Sequence, residues 1–164
     1  LIVRPAFQGV FDDAEYPTTL DKLMKTLGAT VVDFPMKAHC CGGHMTQISQ
    51  STGLELIRQL LQNAVENQAD AIVTLCPMCQ LNLDAYQNDV NKFFKTNYKI
   101  PILYFTQVMG LALGIPAAEL GIGKEFIDAR PALAKIGVEV PEPEALKKKP
   151  SKEALPMPRM PEEE

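Results

Sequence analysis

Cysteine, histidine and positive charge are all scarce in this chain. Among 164 residues only four are cysteine and two are histidine, and 16 basic residues are set against 20 acidic ones, giving a net charge of −4. Four cysteines are too few for a disulfide scaffold at this length. An acidic chain also lacks the field that attracts phosphate backbones, so no nucleic acid is expected as a partner.

Long apolar runs are missing as well. The longest mainly apolar stretch, residues 102–118, is interrupted by polar residues, glycines and a proline, whereas a membrane span needs about 20 mostly apolar residues. The sequence does not open with a charged-then-apolar leader and a small-residue cleavage site. We therefore expect no membrane span and a reducing, cytoplasmic setting.

What the sequence does contain is a repeated alternation of strand and helix patterns. Apolar runs at residues 1–4, 30–34, 70–75 and 100–106 have the character of buried strands, and each is followed by a helical pattern. Further helices are predicted over residues 80–94 and around residues 108–114. Apolar residues at helical spacing mark the first two helices: Leu20, Leu23, Met24 and Leu27 ahead of Gly28, then Leu54, Ile57, Leu61, Ala64 and Val65.

This alternation predicts an α/β fold, with a mostly parallel four-stranded sheet flanked by helices. Residues 1–140 are expected to form one domain of ordinary size. Residues 141–164 are rich in proline and charge, and they have too little apolar surface to repay ordering. We expect this segment to be a tail, either disordered or docked on a partner.

The four cysteines fall into two tight pairs. Cys40 and Cys41 are adjacent in "HCCGGH", and Cys76 and Cys79 form the C-x-x-C of "LCPMCQ". Adjacent cysteines rarely bond to each other, because Cα atoms about 3.8 Å apart lie below the usual disulfide span of about 4.4–6.8 Å. Each pair follows a predicted strand, and ligands of open α/β sheets bind at the carboxyl ends of strands. The two pairs are therefore predicted to converge on one site.

Several chemistries fit such a site. Four thiolates suit an ordinary four-cysteine iron–sulfur cluster or Zn²⁺. A thioredoxin-like redox pair would explain the C-x-x-C but leaves Cys40 and Cys41 without a role, and four buried free cysteines would be a coincidence. His39 and His44 are weak candidates for catalytic proton carriers beside the site, and the interpretation as ordinary loop histidines is favoured over that role.

Charged residues near the start of the chain have two interpretations. Arg4, Asp12 and Asp13 would contact a substrate or partner, or would form solvated ion pairs worth about 0–1 kcal/mol.

The cysteine motifs also carry a family resemblance. "CCGG" followed by "CPMC" at a strand end resembles the second half of the CCG-domain pattern, which recurs twice in the B subunit of heterodisulfide reductase. The stretches "RPAFQGVFDDAEYPTTLDKLMKTLGATVVDFP", "ILYFTQVMGLALG" and "FIDARPALAKIG" are similar to the carboxy-terminal domain of that protein. The resemblance thus covers roughly residues 1–137.

The resemblance implies a cofactor and its ligands. It implies an iron–sulfur cluster of the [4Fe-4S] type, non-cubane in the intact protein, with Cys40, Cys41, Cys76 and Cys79 as ligands. In the family each CCG motif has one more cysteine upstream, which would fall immediately before Leu1. We therefore expect this chain to be a fragment, and Zn²⁺ is the alternative metal for its four thiols.

The resemblance further implies an activity and partners. The family belongs to oxidoreductase complexes with iron–sulfur and flavin subunits, in which electron transfer reduces a disulfide of the CoM-S-S-CoB type. The reaction would take place where two CCG domains face each other, so the fragment alone would be inactive. The competing hypothesis is a non-catalytic module, stabilised by zinc or a simple cluster, that serves structure or interaction.

Overall fold

Helices flank a small parallel sheet in this protein. The structure is a computed structural model that describes residues 12, 13, 15–140 and 142. Within these residues the elements are, in chain order, α1 (Thr19–Thr26), α2 (Met45–Ile48), α3 (Gln50–Glu66), β1 (Ile72–Thr74), α4 (Pro77–Ala85), α5 (Gln87–Phe94), β2 (Ile102–Tyr104), α6 (Phe105–Ala112), α7 (Arg130–Leu133) and a 3-10 turn (Ala134–Ile136).

The two strands pair in parallel. Ile72 is opposite Ile102 and Thr74 is opposite Tyr104, and the crossover between the strands contains α4 and α5, as parallel pairing requires. The strands predicted at residues 70–75 and 100–106 are thereby confirmed. The four-stranded sheet is not: residues 30–34 are not a strand, and residues 1–4 lie outside the described residues. A β-branched run shows propensity, but a strand exists only where a neighbour completes its hydrogen bonds.

The helices agree with the sequence patterns in most places. Both α1 and α3 are confirmed, and Gly28 adopts a φ of +92° just beyond α1, a left-handed conformation that glycine tolerates best. Val65 lies in α3 as predicted, at the edge of the apolar face, and is 48% exposed. The single helix predicted over residues 80–94 is broken at Tyr86 into α4 and α5.

The break at Tyr86 has a visible consequence. It places the buried Gln87 side chain beside the chain that leads into β2, where its amide donates to Ile100 O at 2.7 Å and accepts from Ile100 N at 3.1 Å. The last predicted helix begins earlier than expected, at Phe105, and ends at Ala112. Within the described residues, no helix combines the length and the apolar character that a membrane crossing needs.

The core has two parts, one on each face of the sheet, because neighbouring strand residues point to opposite faces. The smaller part contains Leu103, Ala117, Ile122, Ala129 and Leu133. The larger part contains Cys41, Leu54, Ile57, Leu60, Leu61, Ala64, Ile72, Leu83, Val90, Ile100 and Ile102. One of the four cysteines is thus built into the larger core, on the same sheet face as Ile72 and Ile102.

A charged contact holds the chain that leads to the cysteine pair. Lys37 Nζ lies 2.6 Å from Asp21 Oδ2 of α1 and 3.6 Å from the ring centre of Tyr16. The side chain of Lys37 is only 13% exposed, so the pair is better shielded from solvent than a typical surface ion pair. These contacts hold Lys37 against α1, three residues before Cys40.

Candidate metal centre

The C-x-x-C motif lies where β1 gives way to α4. Cys76 is the N-cap residue of α4, Pro77 is at its first position, and Cys79 is in its first turn. Proline suits this position because its missing N–H would be unpaired there in any case. The hydroxyl of Tyr104, at the end of β2, donates to the carbonyl oxygen of Leu75 at 2.8 Å. The motif is therefore held at the carboxyl end of β1, as predicted.

The second motif is a tight loop packed against α3 and α4. Gly42 has a φ of +73°, which favours glycine, and a Cβ there would lie 3.0 Å from Cδ1 of Leu56. The buried amide of Asn82 in α4 donates to the carbonyl oxygen of Cys41 at 2.6 Å. Because Gly42 has no side chain, the loop can lie close to α3. The hydrogen bond from Asn82 holds it against α4.

The hydrogen bonds from Tyr104 and Asn82 hold the two motifs where their thiols lie close together. Cys41 is 4% exposed and Cys79 is partly buried. A hydrogen bond from the thiol of Cys79 lowers the pKa of Cys41 to about 6. The same contact, together with burial and the nearby Cys76, raises the pKa of Cys79. The opposite directions of the two shifts show that Cys41 and Cys79 interact, and Cys76 adjoins Cys79.

The fourth thiol is oriented differently. Cys40 is exposed, and its sulfur accepts a hydrogen bond from the N–H of Gly42 at 3.4 Å. Among the described residues, no group of three or more Cys, His, Asp or Glu side chains forms a ready-made metal cage. All four cysteines are free. Cys41 thus interacts with Cys79, and Cys79 interacts with Cys76, but the four thiols do not form a closed set, and the ligand roles stay a prediction.

The donor set nevertheless fits a metal that prefers sulfur. Only thiols converge here, and soft thiolate ligands select iron–sulfur clusters and zinc. The hydroxyl of Thr74, two residues before Cys76, is buried and makes no hydrogen bond among the described residues. A buried unpaired hydroxyl is costly, and hydrogen bonds to cluster sulfurs are one way in which a protein tunes such a centre. The residues present are compatible with a bound cluster or zinc ion.

The two histidines flank the cysteine loop on its outer side. His39 is exposed, with its backbone N–H bonded to the carbonyl of Met36 at 2.9 Å, and His44 is the exposed N-cap residue of α2. This placement agrees with the interpretation as ordinary loop histidines. Their candidate role as proton carriers stays a prediction.

The acidic residues near the start of the chain organise local backbone. Asp12 accepts hydrogen bonds from the N–H groups of Thr18 and Thr19, each at 2.8 Å, at the start of α1. Hydrogen bonds from Thr19 and Thr18 hold the pKa of the Asp12 carboxyl well below its usual range. Asp13 accepts from the N–H groups of Glu15 and Tyr16. A helix-capping and turn role accounts for both. The prediction for Arg4 lies outside the described residues.

Sequence reasoning missed the polar residues that hold the motifs. Asn82 and Tyr104 each bond a backbone carbonyl beside a cysteine, and Asp84 accepts the N–H groups of Phe126 and Ile127 at 2.8 and 3.0 Å. Burial raises the pKa of Asp84. The one available signal was that Asn82 follows Cys79 by three positions, which places both on one helix face.

Apolar side chains surround the thiols at the surface. Leu75, Met78 and Leu81 are 53%, 44% and 55% exposed, and they flank Cys76 and Cys79. A groove of about 880 Å³ lies elsewhere: Asp70, Lys99 and Pro101 in its lining precede the strands. Cys76 and Cys79 therefore border an exposed, partly apolar face and do not line this groove.

Comparison with known proteins agrees with this geometry. Residues 6–84 match the family described as the cysteine-rich domain, CCG. This part of the chain therefore belongs to the CCG cysteine-rich domain family, and the predicted resemblance is confirmed.

Three relatives illustrate where such domains occur. The chain is 39% identical over 127 residues to the 8-methylmenaquinol:fumarate reductase membrane anchor subunit of Wolinella succinogenes, covering 77% of this chain and 45% of the relative. It is 35% identical over 137 residues to the B subunit of the ferredoxin:CoB-CoM heterodisulfide reductase of Methanosarcina mazei, covering 82% and 46%. It is 32% identical over 105 residues to a protein of Archaeoglobus profundus named as similar to the heterodisulfide reductase B subunit, covering 63% and 35%. The chain spans about half the length of the first two.

Proposed function

We propose that this chain is an iron–sulfur-binding CCG domain of an oxidoreductase component similar to the B subunit of heterodisulfide reductase. Its role is electron transfer coupled to reduction of a thiol or disulfide substrate. The observation that carries this proposal is the contact between the thiols of Cys41 and Cys79, which joins the two cysteine motifs at the carboxyl end of β1. Cys40, Cys41, Cys76 and Cys79 are the proposed ligands of a [4Fe-4S] cluster.

The residues of the chain prepare this site in distinct ways. Cys41 and Cys79 bring one thiol from each motif together, and Cys76 stands beside Cys79. Asn82 fixes the Cys41 backbone and Tyr104 fixes the Leu75 backbone. A bound cluster would supply one-electron transfer, with a potential set by its ligands and hydrogen bonds. The apolar side chains of Leu75 and Met78 would limit the access of water.

The length of the relatives supports a two-domain arrangement. The chain spans 45% and 46% of two of them, and we propose that it corresponds to the carboxy-terminal of two CCG domains. The exposed apolar face around Cys76 would then meet the other domain, with the substrate between them. Such a protein would work in the cytoplasm with iron–sulfur and flavin subunits, and the isolated chain would be inactive.

The substrate class follows from what the site must do. Reduction of a disulfide takes two electrons, whereas a cluster usually passes one at a time. A cluster held by Cys40, Cys41, Cys76 and Cys79 would supply the electrons one at a time, which suits a sulfur substrate that is reduced in two steps. We therefore propose a low-molecular-weight disulfide of the CoM-S-S-CoB type. The relative whose name specifies fumarate reductase makes a quinol-linked complex the competing assignment.

Metal analysis of the chain purified without oxygen tests the proposal. We expect about four iron and four sulfide per chain, with broad charge-transfer absorption, because four thiolates are available for one cluster. Addition of a disulfide or thiol substrate to the complete two-domain protein should alter the paramagnetic signal. A signal altered by quinol and unaffected by thiols would contradict the disulfide assignment.

A non-catalytic module is the second candidate. The site contains only sulfur donors and includes a cysteine from the core, features that also suit a closed structural zinc site. In that case the same purification should yield a colourless protein with about one zinc per chain and no sulfide. That result would overturn the iron–sulfur proposal and favour the non-catalytic module.

A further inference from the structure

Asn82 is the polar side chain that joins α4 to the cysteine loop. It is 3% exposed, and its Nδ2 donates to the carbonyl oxygen of Cys41 at 2.6 Å. Asn82 follows Cys79 by three residues in α4, so both lie on the helix face that meets Cys41. A primary amide has two N–H groups, and besides the contact with Cys79 the nearby Asn82 side chain also lowers the pKa of Cys41. One N–H of the amide thus holds the Cys41 backbone, and the other is available to the sulfur of the same residue.

We infer that Asn82 is a positioning residue for the metal centre, which fixes Cys41 through its carbonyl and donates an N–H to its metal-bound sulfur. This inference rests on the proposed function, since it requires Cys41 to be a ligand. It assigns to Asn82 the control of the reduction potential and of the metal affinity. Neither property follows from the cysteine motifs themselves.

The expected sign of the effect on the potential follows from charge. An N–H aimed at sulfur stabilises negative charge there, and reduction adds an electron to the centre, so the donor favours the reduced form. Loss of the donor should therefore lower the reduction potential. The effect is local, because Asn82 carries no net charge and is shielded from solvent.

The test compares Asn82→Leu with a matched loss of another buried amide. Gln87 is 0% exposed and makes an equivalent pair of hydrogen bonds to the backbone of Ile100, at a place outside the candidate metal centre. Gln87→Leu therefore reproduces the structural cost of removing a buried amide. Both variants are made in the full chain and loaded with iron and sulfide, and potentials are measured by redox titration.

Asn82→Leu should shift the equilibrium between oxidised and reduced centre about tenfold toward the oxidised form, which is about 59 mV for one electron. Its metal affinity should fall about 10- to 100-fold, as for other outer-shell partners. Gln87→Leu should lose stability and leave both quantities unchanged. Equal potentials and equal metal affinities in wild type and Asn82→Leu would overturn the inference.

A second variant covers the case in which Asn82→Leu does not fold. Asn82→Asp keeps the shape, removes the donor and places negative charge beside the sulfur, so its potential should fall at least as far. An unchanged potential in Asn82→Asp would overturn the inference. If the wild type binds zinc and no iron, the proposed function fails on its own. The inference is then decided by whether Asn82→Asp weakens zinc affinity.

Discussion

Replacing Cys76 with alanine is expected to remove nearly all bound metal while leaving the metal-free fold almost unchanged. Cys76 is exposed and is the N-cap residue of α4, where its side chain makes no capping hydrogen bond. The metal-free variant should thus lie within about 0.5 kcal/mol of wild type in unfolding free energy. In the metal-loaded protein one of four thiolates is lost, and formation of such sites contributes on the order of 10 kcal/mol to folding.

The informative quantity is the loss of unfolding free energy caused by Cys76→Ala in the metal-loaded protein, compared with the loss in the metal-free protein. Iron, sulfide and zinc per chain are measured in each form, together with unfolding in denaturant. Cys41→Ala is less informative, because Cys41 is 4% exposed and its loss would also leave a cavity in the core. Cys40→Ala tests whether the exposed fourth thiol turns toward the others when metal binds.

Leu81→Ala is the matched control for Cys76→Ala. Leu81 is in the same helix and is 55% exposed, so its truncation alters the surface beside the thiols without removing a ligand. It should keep full metal content. Undiminished iron and zinc binding in Cys76→Ala would show that Cys76 is not a ligand. A redox or packing role would then explain the C-x-x-C motif.

Local sequence signals predicted the parts of the fold that depend on local interactions. The spacing of Leu54, Ile57 and Leu61 in α3 is enough to define a helix face, because residues three and four positions apart lie on the same side of a helix. The run at residues 70–75 became β1, since it pairs with β2. Residues 30–34 have similar propensity, yet a strand requires a partner whose position no local pattern specifies.

The sequence predicted that the two cysteine pairs converge, although Cys40 and Cys41 follow no strand among the described residues, and it did not predict the residues that support them. Two cysteine pairs at predicted strand ends suggested convergence, and Cys41 does meet Cys79. The supports act between segments far apart in the sequence: Asn82 bonds Cys41, and Tyr104 bonds Leu75. No periodicity encodes such contacts. The exposed orientation of Cys40 also escaped prediction, because the rotation of one loop residue depends on how Gly42 turns.

Gly53→Ala is expected to destabilise the protein, although alanine normally favours a helix interior. In a helix this replacement gains about 1 kcal/mol from propensity. Here a Cβ at position 53 would lie 2.7 Å from the backbone nitrogen of Thr46 and 2.8 Å from its Cα. Backbone atoms have no alternative rotamer, so α2 must move away from α3. Overpacking of this kind costs about 1–3 kcal/mol, which at the upper end exceeds the propensity gain.

The displaced backbone connects this position to the metal centre. Thr46 donates its N–H to Gly42 O at 3.3 Å and its hydroxyl to Gly43 O at 3.2 Å, and Met45 donates its N–H to Gly42 O at 2.9 Å. A shift of α2 therefore loosens the glycine pair that follows Cys41. Gly53→Ala should weaken metal binding as well as the fold, even though the nearest neighbours of a Cβ at position 53 all belong to Thr46 and include no thiol.

Ser51→Ala separates this steric effect from helix propensity. Ser51 is exposed in the first turn of the same helix, and its replacement should change the unfolding free energy by no more than about 0.5 kcal/mol. Denaturant unfolding and metal titration of both variants supply the comparison. A Gly53→Ala protein that is more stable than wild type and binds metal equally well would mean that α2 yields without cost. The position of the cysteine loop would then not depend on the close approach of α2 to α3.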